Sequence, residues 1–191
     1  MSDPAAETAT SRLREEHVVI LGVAEALHEL ITAAEQGRWS FDAFADAITF
    51  IRLFADACHH GKEEDLLFPE LEQAGLPRDR GPIAVMLEEH RQGRALARHM
   101  AEALPAAREG DDRARAVLRN AALGYVDLIR GHIAKEDNVL FNIADDAVQG
   151  PARRALCGAY AGVCSRRFEG HTKEELAALA GRIRERAGLA T

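Results

Sequence analysis

The chain has 191 residues, 24 Lys and Arg against 31 Asp and Glu, a net charge of −7, and 47% hydrophobic but only 5% aromatic residues. That size suits one domain with a small appendage, the apolar share excludes a disordered chain, and the acidic balance without a basic run makes nucleic acid a poor partner. No stretch approaches the ~18 uncharged apolar residues of a membrane span, and the start lacks a signal-peptide pattern, so the chain reads as soluble and cytoplasmic, with no membrane partner.

Ala, Leu, Arg and Glu dominate and alternating β-branched stretches are absent, which predicts an all-α protein. Residues 1–10 read as a flexible tail. The first helix begins near Ser11, with Leu13, His17, Ile20, Leu21, Ala24, Leu27 and His28 on one stripe, and ends at Gly37. Ser40 is the expected N-cap of the second, with Trp39 and Phe44 as a hydrophobic staple. That helix runs through Phe54 and Phe68 to Gly75, kinked or ended early by Pro69. The third opens at Pro82 and runs through His90 to a break or bend at Pro105. Asp111 or Asp112 caps the fourth, which continues through Tyr125 and His132 to about Val148. Gly150-Pro151 opens a fifth helix over about 151–165, and the capping box Thr172-Lys-Glu-Glu175 opens a sixth. Four long helices with short connections predict an antiparallel up-down-up-down four-helix bundle over 11–149, followed by a helical extension over 150–191. The extension holds eight Arg/Lys and four Glu, net +4, against −11 for the rest, so it is expected to dock on the acidic bundle.

An internal repeat carries the chemistry. His59-His-Gly-Lys-Glu-Glu-Asp-Leu-Leu-Phe68 matches His132-Ile-Ala-Lys-Glu-Asp-Asn-Val-Leu-Phe141 at an offset of 73, and the same offset takes Glu16-His17 to Glu89-His90. His17 to His59 and His90 to His132 are both 42 residues. Each half therefore supplies one lone His and one H-x-x-x-E. His59 and Glu63 share a helix face, as do His132 and Glu136. With His17 and His90 they make four imidazoles and two carboxylates that antiparallel packing can bring to one level. Two carboxylates can bridge two metals, leaving each with two imidazoles, an oxo or hydroxo bridge and an open position. Mixed ligation of this kind favours iron, with manganese and zinc ranked below it.

On these residues the sequence resembles the hemerythrin-like (HHE cation-binding) family over roughly residues 11–148: the lone His17, HHGKEEDLLFP with His59 and Glu63, EEH at His90, and HIAKEDNVLF with His132 and Glu136. The resemblance implies an antiparallel four-helix bundle around a non-heme di-iron centre. Oxygen carriers of that family have H-x-x-x-H on the third helix, where this chain has His90-Arg-Gln-Gly-Arg94. They also end with H-x-x-x-x-D, so Asp137 competes with Glu136, although the repeat favours Glu136. Loss of the fifth histidine argues against reversible oxygen carriage and predicts a vacancy beside Arg94.

His60, about 100° around an α-helix from His59, is expected behind the ligands or at the surface; a one-residue register change would pair it with Glu64. Tyr125 and Arg94 are the other candidates beside the site. His28 reads as a satisfied edge histidine, His99 and His171 as exposed. Glu16 and Glu89 read as solvated, with support of the ligands as the other reading. Lys62 and Lys135 read as surface pairs. Three cysteines without C-x-x-C argue against disulfides and a thiolate zinc site; Cys58 reads as a small apolar filler, Cys157 and Cys164 as one buried face. The expected function is to bind or react with peroxide, oxygen or nitric oxide in oxidative or nitrosative stress. Catalase-like peroxide breakdown would make the chain an enzyme. The alternative is an iron- or oxygen-sensing or iron-handling module acting through a partner protein, and a homodimer is compatible with either.

Overall fold

The computed structural model describes residues 7–165 and 167–189, and among them every regular element is helical. Helix α1 spans Ser11–Glu35. By length and composition it could cross a membrane, and its most apolar window has a mean hydropathy of 1.4 and is half buried in the protein. The sequence expectation of no such stretch counted only uncharged runs, whereas residues 17–34 carry just Glu25 and Glu29. Helix α2 runs from 41 to 73: α-helical over Phe41–Phe50 and Phe68–Gln73, wider π-helix over Ile51–His60 and Glu63–Leu67. Trp39 lies 5.9 Å from Phe44, as a staple requires, but Ser40 makes no side-chain cap bond. Pro69 sits in the first turn of the last α segment and does not end the helix, which stops where Gly75 turns at φ +101°.

Helix α3 spans Gly81–Arg108, with Pro82 in its first turn. The expected break at Pro105 is absent. Proline there forfeits a single amide hydrogen bond within the final turn, and the helix closes over it. Helix α4 runs from 112 to 147, with a π segment over Glu136–Leu140 between Asp112–Lys135 and Phe141–Ala147. Asp111 caps it by accepting from the Arg113 and Ala114 amides. Helix α5 spans Gly150–Ser165 and α6 spans Lys173–Arg186, the latter opened by the Thr172–Glu175 capping box.

Two apolar clusters stack along the long helices. One gathers Leu13, Phe68, Ile83 and Phe141, the other Leu27, Phe50, Met100 and Val126. Between them each of α1 to α4 contributes buried polar residues: Glu16 and His17; His59, His60, Lys62 and Glu63; His90; and His132 with Glu136.

The extension closes over this layer. Its basic residues meet acidic partners on the long helices: Arg167 with Asp65, Lys173 with Glu16, Arg184 with Glu25 and Arg186 with Asp46. Phe168, Leu176 and Ile183 join the larger apolar cluster. A Cys58–Cys164 disulfide ties α5 to α2. This corrects the reading of three unpaired thiols: the two partners lie 106 residues apart, a pairing that sequence spacing cannot reveal. Cys157 remains a buried free thiol. The loose tail expected over 1–10 lies outside the described residues at 1–6. Residues 7–10 are held down, for Tyr160 donates to the Ala9 carbonyl and Thr10 bonds Asp145 through both its amide and its hydroxyl.

Candidate metal centre

The polar layer is built by helix geometry. A π turn closes its hydrogen bonds at i+5 and inserts an extra residue, which shifts which side chains face inward. In α2 one π segment ends at His59-His60 and the next begins at Glu63, so that all six residues from Cys58 to Glu63 are buried. In α4 the π segment begins at Glu136, the repeat equivalent of Glu63.

The inward atoms converge. His59 Nε2 lies 3.7 Å from Glu63 Oε1, and His90 Nε2 lies 3.5 Å from Glu63 Oε2. Glu136 is placed the same way, with Oε2 3.1 Å from His17 Nε2 and Oε1 3.3 Å from His132 Nε2. Each carboxylate thus turns one oxygen to a histidine of the first hairpin and the other to a histidine of the second. His17 and His59 face each other at 3.0 Å between Nε2 atoms. Both oxygens of Glu63 and Glu136, and Nε2 of His90 and His132, are buried without a hydrogen-bond partner. Orphaned polar atoms at this density are costly unless something fills the space between them.

The outward atoms, by contrast, are all held. Nδ1 of each of these four histidines meets a carboxylate: His17 with Asp137 at 2.9 Å, His59 with Glu16 at 3.1 Å, His90 with Glu64 at 2.7 Å and His132 with Glu89 at 3.0 Å. A carboxylate behind Nδ1 fixes ring and tautomer and turns the Nε2 lone pair inward, as metal-ligating histidines require. Lys62 ion-pairs with Glu16, and Lys135 does so with Glu89. The offset of 73 therefore governs this outer layer as well, relating Glu16 to Glu89, Lys62 to Lys135 and Glu64 to Asp137. Glu16 and Glu89 are not simply solvated, Lys62 is not at the surface, and Asp137 supports His17, leaving the inward role to Glu136.

Electrostatics agree with a donor set awaiting cations. Burial pushes His17, His90 and His132 below the usual imidazole range, and His59 down to about 3 despite its bond to Glu16. Burial raises the Glu63 carboxyl to about 8, and raises Glu136 through desolvation and the nearby Glu63 charge. Neutral imidazoles are the metal-binding form, and a pair of cations would supply the positive charge that two buried carboxylates lack.

The hemerythrin HHE cation-binding domain matches residues 8–144. The chain belongs to the hemerythrin HHE family. Uncharacterized proteins of Mycobacterium tuberculosis and Mycobacterium bovis are 30% identical over 162 residues, which cover 84% of this chain and 63% of theirs. The chain thus spans less than two thirds of the curated relatives it matches. No solved structure matches. Membership implies metal-ion binding, typically of iron, and the buried His and Glu groups of this chain suit it.

The three residues expected beside the site are placed differently. His60 is buried, stacked on His90 with ring centroids 3.9 Å apart, and both its nitrogens lack a partner. A regular α-helix would turn it about 100° away from His59, whereas the π segment Ile51–His60 brings it in. Arg94 points outward and pairs with Asp56 at 2.7 Å and with Glu64 at 2.6 Å. Tyr125 is buried with its hydroxyl unpartnered, and lines a cavity of about 400 Å³ together with His60, Gly93 and Arg94. His28 is partly buried and joins no donor cluster among the described residues, while His99 and His171 are exposed.

Proposed function

We propose that the chain is a non-heme di-iron protein that binds or reacts with small oxidants, namely hydrogen peroxide, oxygen or nitric oxide, in oxidative or nitrosative stress. The observation that carries this reading is a convergence of inward donor atoms, six of them orphaned, from two buried carboxylates and four imidazoles that are each held from outside by another carboxylate. His17, His59, His90 and His132 would supply imidazoles to two irons, with Glu63 and Glu136 as bridges and an oxo or hydroxo group between the metals. In this reading α1 to α4 form an antiparallel up-down-up-down bundle over 11–149, with 150–191 as its extension. The order of the two apolar clusters supports that topology, since it reverses from each long helix to the next.

When bound, an iron pair supplies two-electron redox chemistry and open coordination positions. The chain's own residues hold the imidazoles rigid and neutral, exclude bulk water through the two apolar clusters, and offer a small entrant the cavity beside His60 and Tyr125. Arg94 does not set an uncompensated cation next to the centre, because Asp56 and Glu64 already hold it. The cytoplasm is the proposed location, where a disulfide such as Cys58–Cys164 is commonly a redox-responsive bond.

The test is to load the full chain with iron and follow peroxide consumption, oxygen release and nitric oxide binding. The reading requires two irons per chain and a response to at least one oxidant. Iron loading with no response to any of the three would overturn it. A second reading, as an iron- or oxygen-sensing module acting through a protein partner, is favoured by one contact. Lys173 of the extension reaches the Glu16 carboxylate that supports His59, so metal binding and the extension share a residue.

A further inference from the structure

We propose that His60 is a fifth imidazole donor to the metal pair, on the side of His90 and His132. This rests on the di-iron reading above and assigns a ligand that the repeat does not contain. Its donor atom lies, with those of Glu63, His90 and His132, in one buried group whose members are all within 4.8 Å of one another. A second such group is His17, His59, Glu63 and Glu136, so Glu63 belongs to both.

His60 differs from the other four histidines in having no hydrogen bond on Nδ1, yet it too has a carboxylate behind it. Asp56 Oδ1 stands 3.5 Å behind its Nδ1, and Arg94 fixes that carboxylate from the far side. The same guanidinium holds Glu64, which supports His90. One arginine thereby positions the carboxylates behind two adjacent, stacked imidazoles. At 4% exposure both nitrogens of His60 lack a hydrogen-bond partner, which is costly for a buried polar ring unless another group occupies the space they face.

His60, Asp56 and Arg94 also break the repeat together. Shifted by 73 residues, their counterparts are Ile133, Ile129 and Leu21, all apolar. Substitution of a whole Arg–Asp–His set on one half only, against hydrocarbon on the other, is what an added ligand with its supports would produce. The donor that oxygen carriers take from the third helix is here supplied by the second, and the position at Arg94 serves to orient it. The two metals are consequently unequal, the one near His90 having an extra imidazole and the one near His17 keeping more open coordination.

The experiment is an anaerobic Co(II) titration of the full metal-free chain, read by calorimetry, visible absorption and hyperfine-shifted imidazole N–H resonances. His60→Phe keeps an aromatic ring against His90 and removes both nitrogens. Relative to the wild-type chain it should weaken one of two metals by at least about tenfold, spare the other, and lose one shifted N–H resonance. His60→Ala should show the same defect, and free imidazole should restore it. Wild-type affinities with an unchanged resonance count in His60→Phe, or no imidazole rescue in His60→Ala, would overturn the assignment while leaving the di-iron reading intact. A wild-type chain that binds fewer than two metals would overturn both.

Discussion

Glu16→Gln should destabilise the metal-free protein far more than Glu89→Gln, although the two glutamates occupy equivalent places in the repeat. Each holds a ligand histidine and a lysine. Their lysines differ. The Lys62 side chain is 3% exposed, that of Lys135 46%. Breaking a buried ion pair from one side costs about 3–5 kcal/mol, because a charge is left stranded, and glutamine retains an oxygen that recovers part of this. About 3 kcal/mol is expected for Glu16→Gln. A pair with an exposed lysine is worth about 0–1 kcal/mol, which sets the scale for Glu89→Gln. A gap of about 2 kcal/mol corresponds to about 4–8 °C in melting temperature for a chain of this size. The pH sign follows from Lys62. Burial already holds its ammonium below the usual lysine range, and loss of Glu16 lowers it further. The folded variant then binds fewer protons than its unfolded chain at alkaline pH, so the deficit of Glu16→Gln should shrink as pH rises. Urea denaturation followed by circular dichroism, at several pH values, measures all of this. Equal losses for the two variants, or a greater loss for Glu89→Gln, would refute the reasoning.

Glu63→Ala and Glu136→Ala should each abolish paired metal binding, whereas His17→Ala should weaken mainly one metal; metal content after gel filtration distinguishes these outcomes. Metal-free stability should be greatest near pH 6–7. His59 at about 3 against 6.5 unfolded makes stability rise up to about 6.5, and Glu63 at about 8 against 4.5 makes it fall from about 4.5 to 8. With four imidazoles acting one way and two carboxyls the other, denaturation midpoints that climb steadily through pH 8 would contradict this. Cys164→Ser should cost about 2–4 kcal/mol, because the bond it removes joins residues 106 apart, and reductant should have no further effect on that variant.

The helices and the inward donor set were legible because periodicity and duplication both leave traces in spacing. His17, His59, Glu63, His90, His132 and Glu136 obey an offset of 73, and one level of the fold brings them together. The supporting carboxylates were equally encoded, since the offset relates Glu16 to Glu89 and Glu64 to Asp137, but in sequence Glu16 and Glu89 read as solvated, Asp137 as a rival of Glu136, and Glu64 only as a partner of His60. His60 was hidden for a geometric reason. Its angular position was taken from an α-helix, and no sequence pattern marks where π turns widen α2. Pro69 and Pro105 misled in the opposite sense, because the helix can accommodate a proline in a first or last turn. The Cys58–Cys164 bond depends on how α5 folds back, which neither cysteine's neighbourhood in sequence reveals.

The central claim is most directly tested by Mössbauer spectroscopy of the full chain loaded with 57Fe, with total iron determined on the same sample. The account predicts two irons per chain in a spin-coupled pair, as two distinct quadrupole doublets of equal area, because His60 makes the two sites unequal. A single iron per chain, or two that are magnetically independent, would contradict it.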